Sequence, residues 1–205
     1  MVRGVKGTRG YSEQTAQFLS RYDSVQFEEI HASVTHLVPK TPGIALDMGA
    51  GTGRDAAHLA SMGHKVVAVE PTDEFRIPAS RRYPHIEWID DALPGLGKLS
   101  DRAGQFDLIM ATAMWMHLDE AERKTAMNTV AVLLKPTGLF IMSIRCGPKP
   151  SGRFVFDVSA SETNLLAANA GLELIFEKVT QSLGGANRKA GVKWLRLVFR
   201  NMKNR

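Results

Sequence analysis

The sequence predicts an α/β fold, with one mostly parallel sheet and helices on both faces. Three observations predict it. From Gly43 onward, short apolar runs alternate with helical stretches, the pattern of a parallel sheet with crossover helices. A glycine-rich turn, GAGTG at 49–53, stands between the first apolar run and an Ala-rich stretch. A short loop, GGANRKAG, joins the last two apolar runs. A parallel crossover needs a dozen or more residues, so the final strand must return antiparallel beside its predecessor.

The elements follow in order. Ser12 to Tyr22 reads as a helix, and so does Val25 to Val38, where Phe27, Ile30, Val34 and Leu37 keep helical spacing until Pro39 and Pro42 end it. IALDM is the first strand. RDAAHLASMG is a helix stopped by Gly63, and KVVAVE is the second strand. Pro71 to Arg82 is helical in outline, with Asp73 as a cap and Pro78 expected to break or kink it. HIEWI and, after a Pro/Gly-marked connection, FDLIMAT are strands three and four. Asp119 to Leu134 is a long helix with Asp119 as N-cap and Glu122 placed for a capping box. Pro136 and Gly138 punctuate the chain before GLFIMSI, strand five. Ser159 to Ala170 is a helix capped by Ser159 or Ser161 and closed by Gly171. LELIFEKV and VKWLRLVF are strands six and seven.

A chain of 205 residues is about one domain. Residues 1–10 form a flexible basic N-terminus, and 11–205 form a single domain in which 11–40 supply cap helices. Apolar residues make up 44% and charged residues 23%, which excludes disorder, collagen and coiled coil as the whole answer. The one cysteine, Cys146, allows no internal disulfide and no multi-cysteine zinc site, and no metal ligands are assigned. It suits a reducing, cytoplasmic setting. No apolar run is long enough to span a membrane, and no apolar h-region follows the basic residues at the start. The net charge of +5 is carried by the ends: Arg3, Lys6 and Arg9, then Arg196, Arg200, Lys203 and Arg205. Without these seven, 19 basic side chains face 21 acidic ones. Solvated termini explain the charge better than a phosphate-tracking surface, which argues against a nucleic-acid partner.

The strongest signal is ALDMGAGTGRDAAHLA at 45–60. Gly49, Gly51 and Gly53 allow a sharp turn and close approach of a ligand, at the carboxyl end of a strand where such sheets bind ligands. The third glycine comes one residue too early for a dinucleotide fold, and no Gly-Lys-Ser/Thr follows for a P-loop. Asp47, two residues before the first glycine, suits an ammonium better than a pyrophosphate. Glu70 ends strand two, about twenty residues on, placed to grip ribose hydroxyls. Asp90 and Asp91 end strand three. Acids at three successive strand ends describe a pocket for a cationic nucleoside; taken singly, each also reads as a helix cap.

With these motifs in this order, the chain resembles the class I S-adenosylmethionine-dependent methyltransferases, over about residues 11–200. The resemblance implies a Rossmann-like seven-stranded sheet of order 3-2-1-4-5-7-6 with the last strand antiparallel. It implies S-adenosyl-L-methionine as cofactor. The turn D-x-G-x-G-x-G would cradle its methionine part at Asp47, Gly49, Ala50, Gly51 and Gly53. Glu70 would bind the ribose, and Asp91 of DDALPGL, with Asp90 as the alternative, the adenine beside Ala92. FDLIMATAMWMHL resembles the strand-four segment beside the transferred methyl, which brings in Thr112. LLKPTGLFIMS resembles the family's L-K-P-G-G turn, with Thr137 in place of the first glycine.

The acceptor is expected at the carboxyl edge of strands four and five. TAMWMHL lacks the Asn/Asp-Pro-Pro-aromatic motif of the exocyclic-amine nucleic-acid enzymes and the Pro-Cys of the pyrimidine C5 enzymes. The segment is more similar to the small-molecule methyltransferases, which implies transfer to an O, N or S atom of a small metabolite. A macromolecular acceptor and a non-catalytic cofactor-binding module are the alternatives. Trp115 reads either as a pocket roof or as core. His117 reads either as a base or as a hydrogen-bonded structural residue. Arg145, Arg153 and Arg188 stand in segments converging on the same edge and suit an anionic acceptor, or are solvated loop charges. Tyr11 and Tyr22 are substrate candidates from the cap helices.

Overall fold

The computed structural model describes residues 25–150 and 154–203. It contains one seven-stranded sheet, in the order β3-β2-β1-β4-β5-β7-β6. The strands are β1 (Ile44–Met48), β2 (Lys65–Val69), β3 (Glu87–Ile89), β4 (Phe106–Thr112), β5 (Leu134–Cys146), β6 (Leu172–Gln181) and β7 (Lys193–Asn201). β1 pairs in parallel with β2 and β4, β2 with β3, and β4 with β5. β7 lies antiparallel between β5 and β6. The short loop before β7 therefore does what its length requires. The order reverses between β1 and β4, which opens a crevice at their carboxyl ends.

Both faces of the sheet are covered. On one, α4 (Glu120–Leu133) and α5 (Ala160–Asn169) bury Ala126, Met127, Val130 and Ala167 against Phe106, Ile109, Phe140 and Phe199. On the other, α2 (Arg54–Ser61) and the chain before β1 bury Ala56, Leu59, Phe27, Val34 and Val38 against Leu108, Met110, Ile141 and Val198. Asp119 caps α4 in a full capping box with Glu122, and Ser159 caps α5.

Three local expectations are corrected. The helix read over Val25–Val38 is instead a single turn, α1 (Phe27–Ile30), and a separate 3-10 turn at Thr35–Leu37. The Thr35 hydroxyl donates to the His31 carbonyl at 2.8 Å, a side-chain bond of the kind that competes with helix continuation. The ring of His31 meanwhile bonds Asp55 across on α2. Pro78 does not break its helix, α3 (Asp73–Arg82). Pro78 lacks the N–H that would bond Glu74, but both residues are exposed, so water can serve that carbonyl. The N-cap there is Thr72, while Asp73 lies in the first turn and pairs with Arg76. β5 also begins earlier than expected, at Leu134, with a shift of register opposite Phe106–Leu108 that accommodates Pro136 and Thr137. The helix read over Ser12–Tyr22 and the basic start lie outside the described residues.

Candidate cofactor and acceptor site

The carboxyl ends of β1, β2, β4 and β5 and the amino end of β7 open into one cavity of about 420 Å³. Its floor is the glycine turn. The amides of Gly49 and Ala50 donate to the Val69 carbonyl at 2.8 and 3.0 Å, which ties the turn to β2. Gly51 holds φ +54°, a region that costs an L-residue roughly 1–2 kcal/mol. A side chain at Gly51 would meet nothing within 4 Å; it would project into open space. Gly53 differs: it does not border the cavity. At φ +83° it caps α2, and a Cβ there would lie 2.8 Å from the Trp88 ring. Its missing side chain is required by packing against Trp88.

Glu70 is held from both sides. One carboxylate oxygen accepts the Gly51 amide at 2.9 Å and the other the Thr72 amide at 2.8 Å. Burial still pushes its pKa up. Asp91 accepts the amides of Ala92 and Lys98, both at 2.8 Å, and so fixes the loop whose Leu93 and Leu96 form an apolar wall with Phe75. Asp90 does not border the cavity; its carboxylate is engaged by Arg76, which also donates to the Glu70 carbonyl. Of the two alternatives, the structure brings Asp91 to the cavity and turns Asp90 toward α3.

Asp47 lies beneath the turn, 1% exposed, and its Oδ2 has no hydrogen-bond partner. Burial, then the neighbouring Asp55, raises its pKa well above the carboxylate range. Asp55 is the opposite case. Burial works to raise it, but His31 and then Arg54 overcome that and hold it well below the usual range. Its Oδ1 accepts from Arg54 Nε at 2.7 Å; its Oδ2 meets His31 Nε2 at 2.9 Å and accepts from the Thr112 hydroxyl at 2.7 Å. Thr112 thus ends β4 at the cavity with its hydroxyl committed.

On the acceptor side, Met114, Met116 and His117 border the cavity. Trp115 does not. It is fully buried against Phe140, ring centroids 5.9 Å apart, because the 3-10 turn Trp115–His117 directs it into the core and its neighbours outward. The core reading of Trp115 is therefore the correct one. His117 donates from Nδ1 to the Phe154 carbonyl at 2.6 Å, which fixes the ring at the cavity edge. Arg145 borders the cavity, half-buried, and donates to the Pro148 carbonyl. Arg188 is exposed on α6 (Gly185–Lys189) and does not reach the cavity; Ser182, Leu183 and Asn187 of the same connection do. Lys149 pairs with Asp157 on the surface. Tyr11, Tyr22 and Arg153 lie outside the described residues.

Two groups escape a reading of the sequence. Arg54 and Asp55 look like the ordinary first turn of a helix. Arg196 counts there among the solvated terminal charges, yet it is 6% exposed on β7 and borders the cavity. Its signal is present in KWLRLVF: Trp194, Arg196 and Val198 alternate onto one face of a strand, and a strand between two others has no solvated edge.

A family model described as a methyltransferase domain matches residues 45–138. A curated relative, an uncharacterized methyltransferase of Alkaliphilus oremlandii, is 29% identical over 104 residues, 51% of this chain and 46% of the relative. The chain spans about half the length of the curated relatives it matches. Among solved structures, the 1,6-didemethyltoxoflavin-N1-methyltransferase of Burkholderia thailandensis, with bound 1,6-didemethyltoxoflavin and S-adenosylhomocysteine, superposes with TM-score 0.62 at 20% identity, covering 94% of this chain and 90% of that one. The [4+2]-cyclase SpnF superposes with TM-score 0.71 at 14% identity, covering 95% of each. At these identities the likeness is one of fold, and that fold hosts more than one chemistry. No helix among the described residues is long and apolar enough to cross a membrane.

Proposed function

From a chain with a class I methyltransferase domain, we infer an enzyme that uses S-adenosyl-L-methionine to methylate an O, N or S atom of a small, anionic metabolite. One observation carries the reading. Asp47 presents a buried, unpartnered carboxylate oxygen at a cavity floor made by Gly51, whose missing side chain leaves the space open. A buried acceptor without a donor is costly, and an ammonium is the partner that suits a carboxylate.

The other residues fit the same ligand. Glu70 has its carboxylate oriented by two amides and keeps lone pairs for ribose hydroxyls. Phe75, Leu93 and Leu96 offer apolar surface beside Asp91 for an adenine. Bound there, the cofactor would supply an electrophilic methyl for the acceptor's lone pair, with a thioether as the leaving group. His117, at the acceptor side of the cavity, is the side chain placed to act as base where the nucleophile carries a proton. Arg145 stands at the acceptor end and contributes charge there. The burial of Arg196 removes one of the basic groups that a nucleic-acid surface would use. A reducing, cytoplasmic setting accords with the lone free Cys146.

Titration calorimetry with S-adenosylhomocysteine tests this. Saturable binding is expected, weakened about tenfold or more in Asp47→Asn, since a hydrogen bond to a charged group is worth about 1.5–3 kcal/mol. The variant should melt no lower than the parent, because it relieves a buried carboxylate. A parent protein that does not bind overturns the cofactor reading; unchanged affinity in the variant removes Asp47 from it.

A further inference from the structure

We propose that Arg196 is the specificity anchor of the acceptor, and that the acceptor is an apolar molecule bearing a carboxylate. This rests on the methyltransferase reading above and names the substrate class of the same site.

Three features place the anchor at Arg196. Its Nε and Nη1 are both buried without hydrogen-bond partners, and the residue borders the cavity. The carboxylate whose charge acts on it is already committed: both oxygens of Asp55 are taken by Arg54, His31 and Thr112. Arg196 feels the Asp55 charge but receives no bond from it. Burial accordingly lowers the guanidinium pKa to about 10, with Asp55 opposing. The Arg196 guanidinium thus lacks a directly paired negative charge and a set of acceptor oxygens. A planar carboxylate supplies both, because its two oxygens match the guanidinium fork.

Position assigns that carboxylate to the acceptor. The register sets Arg196 opposite Ser143 on β5. β7 stands three strands from β1, on the order of 14 Å along the sheet edge, while the cofactor features gather at β1 and β2. Beside the polar Thr112 and Ser143, the lining on this side carries the apolar Met114, Met116, Leu183 and Trp194, over whose ring the guanidinium lies at 5.8 Å. Arg145, one of the three arginines expected at this edge from sequence, sits nearer solvent with a backbone carbonyl already on its fork.

The test uses benzoate and its neutral isostere benzamide as probes, titrated into the full chain saturated with S-adenosylhomocysteine and followed by Trp fluorescence or thermal shift. Benzoate should bind about tenfold tighter than benzamide. Arg196→Met should erase that preference, leave S-adenosylhomocysteine affinity nearly intact and raise the melting temperature, as removal of an unpaired buried charge does. Arg196→Lys keeps the charge but not the fork and should retain part of the preference, so the test does not depend on one variant. Equal binding of the two probes overturns the proposal, as does a preference that survives Arg196→Met. If Arg196→Met loses S-adenosylhomocysteine but keeps 5′-methylthioadenosine, which has no carboxylate, the guanidinium serves the cofactor and the proposal falls. If the parent binds no nucleoside, the cofactor reading fails by itself; the same two probes on the bare protein then still judge Arg196.

Discussion

Two glycines of one turn illustrate how a shared motif divides its work. Gly51 and Gly53 both have positive φ, but a side chain at Gly51 enters open cavity, whereas one at Gly53 strikes Trp88. Gly51→Ala should lower melting modestly, by the roughly 1–2 kcal/mol of left-handed strain, and weaken S-adenosylhomocysteine out of proportion, because the methyl group occupies ligand space. Gly53→Ala should add a clash to the same strain and be the less stable variant, its affinity falling only as far as folding fails. Chemical denaturation and calorimetry on the pair separate the effects; equal loss of affinity at equal stability would reject the division.

At the scale of elements, the irregular start of β5 tests how far a departure from pattern is tolerated. Thr137 holds φ +64°, a conformation that disfavours a β-branched residue. Thr137→Gly should therefore stabilise the fold by about 1 kcal/mol, read as a higher denaturation midpoint at unchanged slope; a lower midpoint would mean the Thr137 side chain makes a compensating contact. The elements themselves are largely legible, because strand periodicity and the Asp119 and Ser159 caps are local signals. What is not legible arises between elements. Whether Val25–Val38 stays helical depends on His31 reaching Asp55 on another helix. Whether Trp115 lines a pocket depends on which way a 3-10 turn faces. The acids at strand ends can be placed from spacing, but Asp90 separates from Asp91 only once Arg76 crosses from α3. Arg196 misleads for a related reason: distance from the chain end suggests solvation, while burial follows from the strand's place in the sheet.

At the scale of the molecule, the cavity's carboxylates pull stability in opposite directions with pH. Asp55 is depressed in the folded state. Its contribution is present above the unfolded carboxylate value near 4 and is lost as pH falls below it. Asp47 and Glu70 are raised. They favour the folded state most at acid pH, and that advantage is lost as pH climbs from the unfolded value through their raised ones. The ligand-free protein near neutrality is therefore burdened by carboxylates that have lost water without gaining a cation. An ammonium ligand supplies one, and by linkage it draws Asp47 back toward its ionised form. Binding of S-adenosylhomocysteine should then release protons, increasingly as pH falls through the raised Asp47 value. Its affinity should weaken there by as much as about tenfold per pH unit. Calorimetry in buffers of different ionisation enthalpy, from pH 5 to 7.5, measures both quantities. Asp47→Asn should flatten the part of the profile due to Asp47 and leave only the part due to Glu70. An unchanged profile in the variant would place the titrating group elsewhere in the cavity and detach Asp47 from the ligand's cation.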